Sequence, residues 1–337
     1  MTDQHYAPPP GPPPPYRQQD TTTNNAKANE NTDIAPPLGS LPFRGQNNND
    51  TPPQPPAEAN PPPYQNWMTV EDTSLLPPPP PLPEDTSPTN NASYDDAAQA
   101  HAWCAQHPLY TPSKPSPDIH ALAQKGHFTL TRPPPSLIDD PHQFTLHQDS
   151  PTKWYICTGS EDQSDCMFLT DIPSFFAATD NPLVTNRPFR MSYTIHIKAM
   201  SFEDEPVSGI AIGFAAKPYP PWRLPGWHRA SLAVHGDDGR RFMNDPWGGR
   251  DFVEGFQPGQ SITVGMTFST TPLGAGKVKT TAWLTRKGRT REWAIDEQRD
   301  QRDEGVDGLM GEGDLYPAIG VFGGVQFDVE FHPRQGR

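Results

Sequence analysis

Two tetrapeptides with the same sequence have the most specific binding chemistry in this chain of 337 residues. Each has two prolines, then a third residue and a tyrosine, and each ends a proline run. Their recognition residues are Pro13, Pro14 and Tyr16 in the first and Pro61, Pro62 and Tyr64 in the second. Consecutive prolines adopt the extended polyproline II helix, so binding in an aromatic-lined groove costs little conformational entropy. The tyrosine adds a flat ring whose hydroxyl can reach a polar partner.

The order Pro-Pro-x-Tyr (PPxY) predicts binding to WW domains, which have such grooves. Tyr16 and Tyr64 are 48 positions apart, and a flexible chain of that length spans about 40 Å on average. The two motifs can therefore engage two WW domains of one partner, which could raise the apparent affinity by roughly 10²–10⁴-fold over one motif. The tandem WW domains of HECT-type ubiquitin ligases are the expected receptors.

Two further segments of the same region have weaker interpretations. Residues 77–83 (PPPPPLP) could bind an SH3 domain, but no flanking Arg or Lys is present to pair with the acidic rim of such domains. Residues 71–76 (EDTSLL) match an acidic dileucine sorting signal in spacing. Short matches of this kind are common in acidic segments, so chance is the preferred explanation.

Two other groups of side chains have the residue types of catalytic or metal sites: His235 with Asp237 and Asp238, and Cys157 and Cys166 with His142 or His147. The order Asp-Asp-Gly between strand-like segments is typical of a hairpin turn, because Asp tolerates positive φ and Gly favours it. The cysteines lack the Cys-x-x-Cys spacing of zinc sites. There is also no phosphate-binding loop and no Gly-x-Ser-x-Gly motif, so we expect no enzyme activity, no metal and no cofactor.

Composition divides the chain into a proline-rich tail and a folded part. Residues 1–100 contain 24 of the 46 prolines, and Val, Ile and Phe are scarce as far as residue 126. Such a segment cannot bury enough apolar surface to offset its ordering entropy, so residues 1–100 are predicted to be disordered. Residues 101–153 are predicted to be a transition segment that packs against the domain formed by residues 154–333.

The net charge of −14 excludes several classes of partner. Nucleic acids and anionic membranes both bind clustered positive charge, and this chain has no Lys/Arg run, so neither is expected. No stretch approaches the roughly 18 apolar residues of a membrane-spanning helix, and the first residues do not resemble a secretory signal. Three cysteines are too few for a disulfide framework. We therefore expect a cytoplasmic protein without a membrane span.

Short apolar runs separated by Gly, Pro, Asn and Asp predict strands from residue 128 onward. Residues 191–199 alternate, with Tyr193, Ile195 and Ile197 on the inward face, and residues 325–331 alternate in the same way. Five further strands are predicted at residues 209–215, 231–235, 261–268, 280–285 and 318–321. Strands joined by turn-rich loops favour an all-β fold, namely an antiparallel β-sandwich.

Little helix is indicated outside residues 95–106, where good helix formers precede Pro108. Several glycines lie in or beside the predicted strands, where they fit tight turns and close approaches of the backbone: Gly209, Gly213, Gly236, Gly239 and Gly265.

Residues 210–245 contain four short motifs in a fixed order: Gly-Phe at 213–214, Lys-Pro-Tyr-Pro at 217–220, Leu-Pro-Gly-Trp at 224–227 and His-Gly-Asp-Asp-Gly at 235–239. This order resembles the SPRY domain, specifically its fungal form. Segments at 256–265, 283–288 and 313–320 are similar to later motifs of the same family. The resemblance covers roughly residues 154–333 and implies a bent β-sandwich that binds proteins through its loops and has no enzymatic centre.

The pairing of PPxY motifs with this SPRY type further resembles adaptors that recruit a WW-containing HECT ligase to membrane cargo. That resemblance implies recruitment to endosomal or vacuolar membranes through partners. Such adaptors usually carry a transmembrane anchor ahead of the SPRY domain, and none is expected here. Two residues depart from the family pattern, Gln260 in place of Asp and Lys287 in place of Asn. Residues 290–308 form a charged insertion that is predicted to be a loop or a short helix.

Four large apolar side chains lie in loop-like sequence rich in Pro and Gly: Trp222, Leu224, Trp227 and Trp247. Aromatic residues on loops are candidate anchors for a partner protein. Tryptophan in a sandwich is at least as often part of the core, so both interpretations stay open.

Two functions follow. In the first, the protein is an adaptor whose PPxY motifs recruit a WW-domain HECT ubiquitin ligase while the SPRY domain binds a client protein. In the second, the SPRY domain binds a peptide and SH3 or profilin-like proteins read the proline-rich tail, without any link to ubiquitin.

Overall fold

The computed structural model describes residues 93–135, 144–159, 164–200, 208–271, 276–295 and 305–334. Both PPxY motifs, the proline run at 77–83, the dileucine-like segment and nearly all of the predicted disordered tail lie outside the described residues. The prediction of disorder for residues 1–92 therefore stays a prediction.

Four helices lie in the described part of the chain: α1 (Tyr94–Gln106), α2 (Pro117–Lys125), α3 (Ala177–Asp180) and α4 (Pro182–Thr185). Helix α1 confirms the helix predicted before Pro108, and it begins inside the segment assigned to the tail. Helix α2 was not predicted, although Ser116 caps its first turn and Gly126 ends it in the left-handed conformation. Among the described residues, no helix has the length and apolar character needed to cross a bilayer.

Thirteen strands form two antiparallel sheets in the described residues. The six-stranded sheet has the order β1 (Leu130–Thr131), β4 (Cys166–Thr170), β12 (Tyr316–Phe322), β6 (Gly209–Ala215), β7 (Ser231–His235), β8 (Arg241–Met243). The seven-stranded sheet has the order β11 (Arg289–Ala294), β10 (Val278–Arg286), β9 (Ser261–Thr270), β5 (Phe189–Met200), β13 (Val325–Phe331), β3 (Lys153–Thr158), β2 (Phe144–Ser150). The predicted all-β antiparallel sandwich is confirmed.

The core lies between the two sheets and follows the alternation of the sequence. Ile195 and Phe327 from the seven-stranded sheet belong to the same buried cluster as Ile212 and Ile319 from the six-stranded sheet. All four side chains are 0% exposed. Each of the seven predicted strands is present, and β6 and β7 have the predicted bounds.

The predicted Asp-Asp-Gly turn is present, and a second tight turn joins β10 to β11. Asp237 and Asp238 lie in the turn between β7 and β8, and Gly239 has a φ of 78°. Lys287 and Gly288 join β10 to β11 with φ values of 51° and 72°, as a two-residue hairpin turn requires. Lys287 therefore departs from the family pattern in residue type but adopts the positive φ that Asn tolerates more readily.

The first part of the charged insertion is a strand, not a loop or a short helix. Residues 290–294 belong to β11, which pairs with β10 from Arg289 opposite Arg286 to Ala294 opposite Thr281. The buried Trp293 belongs to the main core. Trp293 is the one buried residue of β11, and the four residues before it in the strand are charged or polar and exposed. Residues 296–304 lie outside the described residues.

Candidate interaction surface

Two of the four candidate anchor residues are buried. Leu224 and Trp227 are 2% and 3% exposed, and they cluster with Ala211 of β6 and Phe242 of β8. This cluster is separate from the main core because Ala211 points to the opposite side of β6 from Ile210 and Ile212. The loop of residues 216–230 therefore packs on the outer side of the six-stranded sheet, and Leu224 and Trp227 are part of that packing.

Buried hydroxyl groups hold this loop. The Tyr219 hydroxyl donates to the Leu224 carbonyl at 2.7 Å and accepts from the His228 amide at 3.1 Å. The Ser231 hydroxyl donates to the His228 carbonyl at 2.6 Å and accepts from the Gly226 amide at 2.9 Å. Burial raises the pKa of the Tyr219 hydroxyl, so it keeps its proton and its donor role.

Helix α1 lies on this loop. Its buried residues are Ala97, Ala100 and Cys104, which are spaced so that they form one stripe along the helix. Because these side chains are small, the helix backbone comes close to the surface beneath it. Contacts therefore connect residues 101–107 with the loop at residues 217–230. They continue to Tyr110, whose amide donates to the Lys217 carbonyl at 2.9 Å.

Aromatic rings flank the stripe of small residues. The ring pairs and their centroid distances are Tyr94 with Trp247 (5.7 Å), His101 with His228 (4.8 Å) and Trp103 with Trp222 (5.9 Å). Trp222 is half-buried and Trp247 is 37% exposed. Both of the remaining candidate anchors therefore contact a segment of the same chain.

Arg229 binds the end of α1. Its Nη1 donates to the Cys104 carbonyl, and its Nη2 donates to the His107 carbonyl. The last carbonyls of a helix have no partner within the helix and carry partial negative charge, so a guanidinium is a suitable partner for them. Arg229 was not among the predicted binding residues, because its neighbours in the sequence give no signal of this role.

A buried cation lies between α1 and the loop. The Arg223 side chain is 1% exposed, its Nε donates to His228 Nε2 at 3.0 Å, and its guanidinium covers the Trp227 ring at 4.2 Å. Burial and the Arg223 charge lower the pKa of His228 to about 2, so its ring stays neutral. Since Nε2 accepts a hydrogen bond, the ring proton is on Nδ1.

Three carboxylates interact electrostatically with one another near Arg223. They belong to Asp96 of α1, Asp165 before β4, and Asp237 of the β7–β8 turn. Burial raises the pKa of Asp165 to about 7, and the negative charges of Asp96 and Asp237 add to the rise while Arg223 opposes it. Asp165 is therefore partly protonated near neutral pH.

Between pH 8 and pH 6.5, we expect Asp165→Asn to lose about 0.8 kcal/mol of stability relative to the wild type. The folded wild-type protein takes up a proton at Asp165, whereas the unfolded chain does not until near pH 4, so the wild type gains this amount as the pH falls and the variant does not. The buried histidines oppose this gain in both proteins, because burial lowers the pKa of His228 and His235 and only the unfolded chain protonates them. Urea unfolding of both proteins across this pH range measures the difference.

The matched variants are Asp165→Asn and Asp251→Asn, the second at an exposed carboxylate. Asp251→Asn is expected to follow the pH dependence of the wild type. If the stability of Asp165→Asn changes with pH in parallel with the wild type, the titration belongs to another group.

Comparison with known proteins found no matching family model. A SPRY domain-containing protein of Schizosaccharomyces pombe is 36% identical over 93 residues, which are 27% of this chain and 24% of that protein. Protein ssh4 of Sclerotinia sclerotiorum is 30% identical over 149 residues, 44% of this chain and 24% of that protein. SPRY domain-containing protein 3 of Homo sapiens is 51% identical over 45 residues, 12% of this chain and 10% of that protein.

The matches thus span about a quarter of the length of the two fungal relatives. Among solved structures, a human SPRY domain matches 58% of this chain and 99% of its own length at 16% identity, with a TM-score of 0.36. The strand pairings of the two sheets, and not this superposition, define the sandwich described above. Parts of this chain are thus similar in sequence to SPRY domain-containing proteins of a fungus and of Homo sapiens.

Proposed function

We propose that this protein is a non-enzymatic adaptor, in which the SPRY domain binds a client protein and the PPxY motifs recruit a WW-domain ubiquitin ligase of the HECT type. The observation that carries the proposal is the doubled motif ending at Tyr16 and Tyr64 in a chain that is similar to SPRY-domain proteins. The ligase would then ubiquitinate the client and direct its sorting.

The tail is suited to hold two WW domains at once. A spacing of 48 residues exceeds what two adjacent small domains need, and the intervening prolines extend the chain further. Each motif alone is expected to bind weakly, because a single polyproline ligand buries little surface. The gain comes from effective concentration, so both motifs must be intact for tight binding.

Calorimetric titration of the full chain with tandem WW domains of a HECT ligase tests this function. The Tyr16→Ala/Tyr64→Ala double variant is expected to bind at least about 100-fold more weakly than the wild type, because both rings and the avidity are lost. Each single variant retains one motif and is expected to lie between the two.

Tyr6→Ala is the matched control, because Tyr6 lies in the same tail and follows no proline pair. Unchanged binding by the double variant contradicts ligase recruitment. In that case, loss of SH3 or profilin-like proteins on deletion of residues 77–83 would favour the second function, a peptide-binding module whose tail serves other proline readers.

A further inference from the structure

The loop face beneath α1, formed by residues 217–230 and Trp247, has the properties of a receptor for a helix. Three of its interactions are with features that many helices share. It accepts a stripe of small residues, it binds the carbonyls at the helix end through Arg229, and it flanks the helix with the rings of Trp222 and Trp247. None of these depends on the helix belonging to the same chain.

Helix α1 leaves two buried donors of this face without a partner. Arg223 Nη2 and His228 Nδ1 have no hydrogen-bond partner among the described residues, and both side chains are at most 1% exposed. The His228 ring contacts the His101 ring of α1 edge to face. The negative charge of Asp165 acts most strongly on Arg223, and the charge of Asp96 in the first turn of α1 acts on it less strongly. Asp96 instead accepts a hydrogen bond from Ser93 Oγ at 2.6 Å. A buried guanidinium and an imidazole N–H favour a carboxylate acceptor.

The first turn of α1 is held by little buried surface. Tyr94 is 62% exposed even though it stacks on Trp247, and Asp95 and Asp96 are exposed. Since most helical stability in proteins comes from packing of an apolar face, a helix of 13 residues with three small buried side chains is weakly anchored.

We infer that the loop face is a receptor for a short acidic helix of the client protein, and that α1 occupies it until such a helix displaces it. This inference rests on the proposed adaptor function and names the kind of client segment it requires. The helix carries small residues at positions i, i+3 and i+7, an aromatic residue one turn before them, and a carboxylate that reaches Arg223 and His228.

Competition between the two helices makes the apparent affinity depend on α1. A client helix binds only the fraction of molecules whose α1 is displaced, and the apparent dissociation constant rises by the inverse of that fraction.

The test uses a fluorescein-labelled peptide with the sequence of residues 93–107 and the full chain as receptor. Ala97→Glu/Ala100→Glu in the protein places two charges in the buried stripe and prevents its own α1 from docking. This variant is expected to bind the peptide at least about 10-fold more tightly than the wild type, measured by fluorescence anisotropy. A peptide with Ala100→Glu is expected not to bind, and one with Asp96→Asn to bind more weakly.

Gln99→Glu/Ala102→Glu is the matched control, because it adds the same charge at exposed positions of α1. Equal peptide binding by the two double variants, or no binding by either, overturns the inference. If Ala97→Glu/Ala100→Glu does not fold, hydrogen exchange of the wild type decides. The amides of α1 must then exchange faster with about 1 mM unlabelled peptide while β9 and β10 are unchanged, and no change in α1 overturns the inference.

These experiments contain no WW domain. If the peptide does not displace α1, ligase recruitment by the tail is not contradicted, and the client must bind another surface. If the tail does not bind WW domains, the peptide result still holds and only ligase recruitment is contradicted.

Discussion

Gly213→Ala is expected to destabilise the protein by about 3 kcal/mol or more, which lowers the melting temperature by about 6–12 °C. A Cβ atom at this position would lie 1.9 Å from the Leu232 carbonyl oxygen and 2.6 Å from the Ala233 Cα. Both atoms belong to the backbone of β7, so no side-chain rotation relieves the clash. Strands β6 and β7 must move apart in the middle of the six-stranded sheet.

Gly259→Ala is the matched control for Gly213→Ala, because an added Cβ at Gly259 meets nothing within 4 Å. Its φ of 81° still disfavours alanine, so we expect a loss of about 1 kcal/mol. Thermal and urea unfolding of the two variants measure the difference. Equal losses would show that the sheet accommodates the added methyl group at position 213 with little movement of β6 and β7.

Tyr193→Phe is expected to cost about 2–4 kcal/mol, because it leaves buried backbone groups of both neighbouring strands without partners. Tyr193 lies in β5 of the seven-stranded sheet, and its hydroxyl crosses the core to the six-stranded sheet. The hydroxyl accepts from the Gly213 amide at 2.8 Å and donates to the Ala318 carbonyl at 2.8 Å. This one side chain therefore joins the two sheets at the point where β6 and β12 pair.

Tyr110→Phe removes the same atom at a site that is 66% exposed and should change the stability by less than about 0.5 kcal/mol. The midpoint of urea unfolding compares the two variants. A loss below about 1 kcal/mol for Tyr193→Phe would mean that Gly213 and Ala318 find other partners when the hydroxyl is absent.

Tyr193 and Gly213 show which structural features a local sequence pattern can predict. The alternation of apolar and polar residues along 191–199 was sufficient to predict that Tyr193 lies in the core, because one face of the strand is buried. The glycine within an apolar run indicated a close approach of the backbone, and that prediction is confirmed at Gly213. Local signals also predicted the Asp-Asp-Gly turn and helix α1.

Leu224 and Trp227 could not be separated from Trp247 by sequence. All three lie among prolines and glycines, yet the first two are buried and the third is 37% exposed. Their burial depends on the loop of residues 216–230 folding onto the outer side of β6, and nothing in the loop itself specifies which sheet face it covers. A local pattern reports whether a segment is apolar, but not which surface it meets.

The sequence by itself therefore determined seven of the strands, the Asp-Asp-Gly turn, helix α1 and the doubled PPxY motif, because each depends on residues close together in the chain. Only the tertiary structure decided that α1 lies on the loop, that Arg229 binds its end and that Arg223 is buried near Asp96. These contacts join residues more than a hundred positions apart, and many alternative pairings of such residues satisfy the same local preferences. The folded sandwich selects one of them because only that arrangement brings the loop, the outer face of β6 and the small-residue stripe of α1 together.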